Sequence, residues 1–333
     1  MSRSDRFNNI LLIKPGAIGD VLQMTPVIRA LKSKFPQASV ALLVGSSSTA
    51  ELFKNNASVS ETIVFDKTAG GSSGALLKLW QRLHRNKYDL VINFQRSNLK
   101  TWFLASAAFP CRLLIYRKTE AKNVHAIVNY LETLAPLGIE SVDVNLEIAL
   151  DEADRAFAVS ILGALPKAGR PLIALNPGAS HPVNRWGAER FAELADRLAG
   201  RLSAKVIIIG GSEDIGLAAD IEAKTGSKPL VMTGRTTLRQ LAALLERCDI
   251  LVSGDTGPMH IAAAVGTRVI ALFGAADPER TGPIGKGHRV LQADGVPCVP
   301  CRSRRCLKRE YRECMEKISV SRVYETIRDM LAL

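Results

Sequence analysis

The chain reads as an α/β protein built from two Rossmann-like, doubly wound domains. Three observations predict this. Short, uninterrupted apolar runs recur along the sequence, amphipathic helical patterns alternate with them, and the alternation pauses once, near the middle. Continuous apolar strands between helices are what a parallel sheet covered on both faces requires. A length of 333 residues also exceeds what a single core usually fills.

The elements follow in order. ILLI (10–13), VALLV (40–44), TIVF (62–65), DLVINF (89–94) and RLLIY (112–116) read as strands. Between them DVLQMTPVIRALKSKF, TAELFKNN, ALLKLWQRLHRNK and NLKTWFLASAA read as helices, and HAIVNYLETLAPLG follows the last strand. DEADRAFAVSILGALPKAGRP then reads as a helix running into a Gly/Pro linker, which places the expected domain boundary at 165/166. Beyond it, PLIALNPG (171–178), KVIIIGG (205–211), PLVM, DILVSGD (249–255) and RVIALFG (268–274) restart the strand pattern. The second domain is expected to run over 166–315. A C-terminal helix over 316–333, with a Ser cap in SVSRVYETIRDML, is expected to be free to pack back on the first domain.

The composition, 47% hydrophobic and 23% charged, is that of an ordinary globular protein. No apolar run approaches the ~18 residues needed to span a bilayer. The N-terminal apolar stretch is short and ends at Lys14, unlike a signal peptide, so a cytoplasmic protein is expected. The net charge of +12 favours anionic partners. It is concentrated between 78 and 122, where ten Lys or Arg face only Asp89 and Glu120. Few aromatics (5%) and no nucleic-acid-binding motif argue against nucleic acid. A solvated basic face is the plain alternative.

Ligands of open α/β sheets bind beyond the carboxyl ends of the strands. Four loops fall there: KPGAIGD (14–20), NPGASHPVNRW (176–186), GGSED (210–214) and SGDTGPMH (253–260). In the last, Gly257 and Pro258 open a helix whose N–H groups and dipole suit a diphosphate. Asp255 and Thr256 suit either capping or ligand hydroxyls, and His260, one turn in, is either a ligand contact or a core histidine. KPGAIGD lacks the glycine spacing of the dinucleotide fingerprint, which weakens a dehydrogenase reading. Asp20 is either a helix cap or a general base.

ILLIKPGAIGDVLQMTPVIRALKSKFP, NPGASHPVNRW and SGDTGPMHIAAAVGTRVIALFGAADPERTGP resemble glycosyltransferase family 9, the ADP-heptose:lipopolysaccharide heptosyltransferases, and the resemblance extends over nearly the whole chain. It implies a GT-B fold in which two Rossmann-like domains face a central cleft, the first binding the acceptor and the second the nucleotide sugar. It implies inverting transfer of heptose from ADP-heptose to a hydroxyl of the lipopolysaccharide inner core, with no cofactor or metal. Position by position, it places the base on Asp20 and the diphosphate loop on Asp255, Thr256, Gly257 and His260. Asn184 stands where the family often has a basic residue, so Arg185 becomes the candidate phosphate cation, with Asn176, Ser180 and Glu213 as further donor contacts. Lys14, Gly19, Arg96 and Arg117 are the acceptor-side candidates, and the basic stretch would meet an anionic acceptor at the cytoplasmic face of the inner membrane. Alternative readings are another nucleotide-sugar transferase or epimerase, and a non-catalytic nucleotide-sugar or anionic-lipid binding protein.

Cys298, Cys301, Cys306 and Cys314 cluster in the tail. Four thiols there suit zinc, an iron–sulfur cluster, or free and redox-labile chemistry. Cys111 and Cys248 read as core residues.

Overall fold

The computed structural model describes residues 6–65, 73–95, 99–117, 124–163 and 170–332. The chain forms two compact units, Met1–Ala149 and Leu150–Leu333.

The first unit contains β1 (Asn9–Ile13), α1 (Ile18–Leu22), α2 (Thr25–Lys34), β2 (Ser39–Val44), α3 (Ser47–Glu51), β3 (Glu61–Val64), α4 (Ser73–Arg85), β4 (Leu90–Asn93), α5 (Leu99–Ser106), β5 (Arg112–Ile115) and α6 (Ala126–Glu132). Its sheet has the order β3-β2-β1-β4-β5 and every pairing is parallel. Ile10–Ile13 are fully buried, as a central strand sandwiched between helices demands. The single helical pattern expected after β1 is broken into α1 and α2. Pro26 cannot donate to a preceding turn, so the helix ends at Leu22 and restarts with Pro26 in its first turn.

The second unit contains α7 (Glu152–Leu162), β6 (Leu172–Asn176), α8 (Ala188–Leu202), β7 (Lys205–Ile208), α9 (Ile215–Lys224), β8 (Leu230–Val231), α10 (Leu238–Glu246), β9 (Ile250–Gly254), α11 (Gly257–Ala264), β10 (Arg268–Phe273), α12 (Pro278–Thr281), β11 (Arg289–Gln292), α13 (Glu313–Glu316) and α14 (Val320–Leu331). Its parallel sheet has the order β11-β10-β9-β6-β7-β8. The edge strand β11, of four residues, has no counterpart in the sequence reading. The unit opens at Leu150, before the expected 165/166, and therefore takes in α7, which packs on α10. A capping box between Asp151 and Asp154 closes the start of α7, and the buried Arg239 of α10 ion-pairs with both carboxylates.

The core of this unit runs from Ile173 and Leu175 through Trp186, Phe191 and Leu198 to α14. Trp186 packs edge-on against Phe191, with ring centroids 5.0 Å apart, and donates Nε1–H to the Ile318 carbonyl at 2.8 Å. The C-terminal helix buries Val320, Val323, Tyr324 and Ile327 against α8 and β10, within the second unit. Among the described residues, no helix is long and apolar enough to cross a membrane.

Candidate active site

In each unit the strand order reverses once, between β1 and β4 and between β6 and β9. Ligands of such sheets sit at that switch point, beyond the carboxyl ends of the strands. Lys14 and Asp20 lie at the first of these points, and Asn176 and the Asp255–His260 loop at the second.

In the first unit, Lys14 leaves the end of β1 and is buried, while Asp20 lies exposed in the first turn of α1. Ala17 is the N-cap of α1 and makes no side-chain cap bond, and Asp20 lies three residues beyond it, so Asp20 is not the cap. Lys14 Nζ donates to the Tyr130 hydroxyl at 2.8 Å, and the charge of Asp20 acts on both groups. Ammonium, phenol and carboxylate are thus electrostatically linked. Burial holds the Lys14 ammonium below its ordinary pKa, with the charge of Asp20 opposing that shift. Burial, and then Asp20, push the Tyr130 phenol upward, so it remains a donor. A Cβ at Gly16 would lie 3.1 Å from Asp20 Cβ and 3.4 Å from Lys14 Cε, a tight fit that glycine relieves. Gly19 is buried in α1, and Arg117 is exposed just after β5. Arg96 lies outside the described residues, as do Lys118 and Lys122 of the basic stretch.

In the second unit, Asn176 ends β6 and is buried. Its Nδ2 donates to Ser253 Oγ and to Thr256 Oγ1, both at 2.9 Å. Ser253 Oγ and Thr256 Oγ1 are also 3.0 Å apart. Thr256 is the N-cap of α11, but its hydroxyl is held sideways by this triad and makes no cap bond to the helix. The structural helices α7 and α10, by contrast, are closed by full capping boxes. Gly257 and Pro258 form the first turn of α11, and His260 is buried within it. Asp255 accepts from Thr281 Oγ1 at 3.1 Å. With Asn184, Asp277 and Arg280 it lines a pocket of about 220 Å³.

In the GGSED loop Glu213 is exposed, and its neighbour Asp214 is the buried carboxylate. The short 3-10 turn over Ser212–Asp214 decides this. Asp214 Oδ1 stands 3.8 Å from Arg185 Nη2, so the expected phosphate cation already faces a protein carboxylate. Desolvation raises the Asp214 pKa, against the Gly211 backbone N–H and Arg185, which lower it. A Cβ at Gly178 would fall 2.1 Å from Asp214 Oδ2, so only glycine admits this approach. Ser180 is exposed on the same loop as Arg185. Tyr130, Ser253, Asp214 and Thr281 were not singled out in the sequence. Their roles depend on strand order and on one-residue choices of direction.

A glycosyltransferase family 9 (heptosyltransferase) profile matches residues 76–312. The chain belongs to this family. The lipopolysaccharide core heptosyltransferase OpsX of Haemophilus influenzae is 24% identical over 299 residues, 85% of this chain and 84% of that protein. The crystal structure of a glycosyltransferase family 9 protein from Veillonella parvula superposes with a TM-score of 0.86 at 27% identity, covering 98% of this chain and 97% of the other. An Escherichia coli protein described as ADP-heptose lps heptosyltransferase II gives a TM-score of 0.80 at 21% identity, with 97% and 98% covered. The chain is thus a glycosyltransferase with the GT-B fold. Cys298, Cys301, Cys306 and Cys314 are all free thiols, and among the described residues no three His, Cys, Asp or Glu side chains are grouped to hold a metal ion.

Proposed function

We propose that this family 9 protein transfers heptose from ADP-heptose to a hydroxyl of the lipopolysaccharide inner core, with inversion and without a metal. The observation that carries the reading is the start of α11, where Asn176 and Ser253 draw the Thr256 hydroxyl away from the helix it precedes. A helix N-terminus left unclosed by its N-cap side chain, at a topological switch point, suits a diphosphate. The similarity to lipopolysaccharide heptosyltransferases supports heptose as the sugar and the inner core as acceptor.

The reaction is one displacement. The acceptor oxygen forms a bond to the anomeric carbon while the bond from that carbon to the diphosphate oxygen breaks. Asp20 takes the acceptor proton, and its charge is linked to the Lys14–Tyr130 pair. Charge building on ADP is met by the α11 terminus and Arg185. Asp255, Gly257 and His260 complete the diphosphate loop, and Ser180 and Glu213 lie at the donor's edge. Lys14, Gly19, Arg96 and Arg117 face the acceptor, which the basic residues of the first unit would meet at the cytoplasmic face of the inner membrane.

Calorimetry with ADP-heptose, ADP, UDP and UDP-glucose in chelator-containing buffer tests this reading. Preference for the ADP compounds is expected. Preference for a uridine nucleotide would remove heptose as donor and leave the fold and Asp20 unaffected.

A further inference from the structure

The helix α12 (Pro278–Thr281) is a single turn, too short to hold itself together in water. Its neighbours supply the ties. Asp277 is its N-cap and is buried. Asp277 Oδ1 accepts the Glu279 N–H at 3.1 Å, and Oδ2 accepts from Arg302 Nε at 3.1 Å and, more closely, from Arg302 Nη2. The Asp277 carbonyl takes the N–H groups of Arg280 and Thr281 at 3.1 and 3.2 Å. Arg302 reaches this carboxylate from a left-handed backbone state, φ 56°, which is uncommon for a residue with a side chain. Its own N–H donates to the Ala275 carbonyl at 2.7 Å. The Thr281 hydroxyl proton has two acceptors within reach, Asp255 Oδ2 at 3.1 Å and the Asp277 carbonyl at 3.2 Å.

We infer that Arg302 and Asp277 are positioning residues for the donor, a role that rests on Asp255 belonging to the donor site. They hold α12 in place, and α12 presents the Thr281 hydroxyl that fixes the Asp255 carboxylate in its pocket of about 220 Å³. Arg302 lines the same pocket, so direct contact with the donor diphosphate is the competing role. Two features favour positioning. Arg302 spends Nε and Nη2 on Asp277, and that buried carboxylate would be costly to leave without its cation. The order of the ties is also directional. Arg302 meets the cap of α12, the cap holds the turn, and the last residue of the turn meets Asp255.

Calorimetric titration of the full chain with ADP-heptose tests this, using Arg302→Ala, Thr281→Val, Thr281→Ser and the Arg302→Ala/Thr281→Val double variant. Thr281→Val should weaken binding about tenfold, as loss of one bond to a charged group predicts, and Thr281→Ser, which keeps the hydroxyl, should restore it. Arg302→Ala should match Thr281→Val, and the double variant should bind within about twofold of either, because one residue acts through the other. Losses that multiply would assign Arg302 to direct donor contact and overturn the inference, as would a Thr281→Ser as weak as Thr281→Val. Arg302→Lys keeps the charge without the pair of fixed donors and replaces Arg302→Ala if that variant does not fold. A second readout needs no donor. Amide hydrogen exchange over 279–282 should be at least about tenfold faster in Arg302→Ala than in wild type, with β9 unchanged. Equal exchange overturns the inference. If wild type prefers UDP-glucose, heptose is lost as donor and the same cycle is run with UDP-glucose. If it binds neither, the donor reading fails, and the exchange result decides whether Arg302 holds α12.

Discussion

Read from β3 to β5 and from β8 to β10, the two sheets share one strand order, and the second adds β11 at its edge. At the matching point the two units place opposite chemistry. The first brings a buried ammonium, a phenol and an exposed carboxylate together on one loop and one helix. The second places a neutral triad, Asn176, Ser253 and Thr256, beneath a helix start. A neutral amide in the first could not take a proton. The same strand order thus carries different side chains at its two switch points, because chemistry lies in the residues grafted on a sheet and not in the sheet itself.

This contrast can be broken experimentally. Asp20→Asn should lower transfer by ~10²–10⁴-fold while calorimetry finds ADP affinity unchanged. A parallel loss of ADP binding would mean the two units do not divide the work. Asn176→Leu should do the reverse, weakening ADP binding about tenfold, as expected when buried hydroxyls lose a shared donor, with kcat little altered. Tyr130→Phe strands the buried Lys14 ammonium and should cost ~1–3 kcal/mol in urea unfolding. An unchanged midpoint would show that the Lys14–Tyr130 bond contributes nothing. The smallest effect concerns Asp214. Its folded pKa is raised, so the folded state holds more protons than the unfolded one between the two pKa values, and stability rises as pH falls through that window. Thermal melts of wild type against Asp214→Asn should therefore shift in favour of wild type from pH 7 toward pH 4. A gap that moves the other way would contradict the burial of this carboxylate.

Among the described residues, ten of the eleven strands were legible, most of them because buried parallel strands are continuous apolar words, as ILLI and RVIALF are. RVLQ, the eleventh, is an edge strand with one buried side chain, and its composition does not mark it. The loops that carry Asp20, Asn176 and Thr256 were legible because strand-to-helix turns with glycine announce themselves. Tyr130 was not, since it comes from α6, more than a hundred residues beyond Asp20, and only the fold brings the two together. Glu213 and Asp214 show the finest limit. Both are acidic and adjacent, and a single 3-10 turn chooses which one faces inward.

The anchoring of α7 governs where the chain can be cut. A fragment starting at 150 keeps Asp151 and Asp154 beside Arg239, whereas one starting at 166 removes both carboxylates and leaves the guanidinium in place. Breaking such a buried pair by removing one side costs ~3–5 kcal/mol, a large share of a domain's stability. Dissection of the protein into halves should therefore succeed at 149/150 and yield insoluble or unfolded material at 165/166.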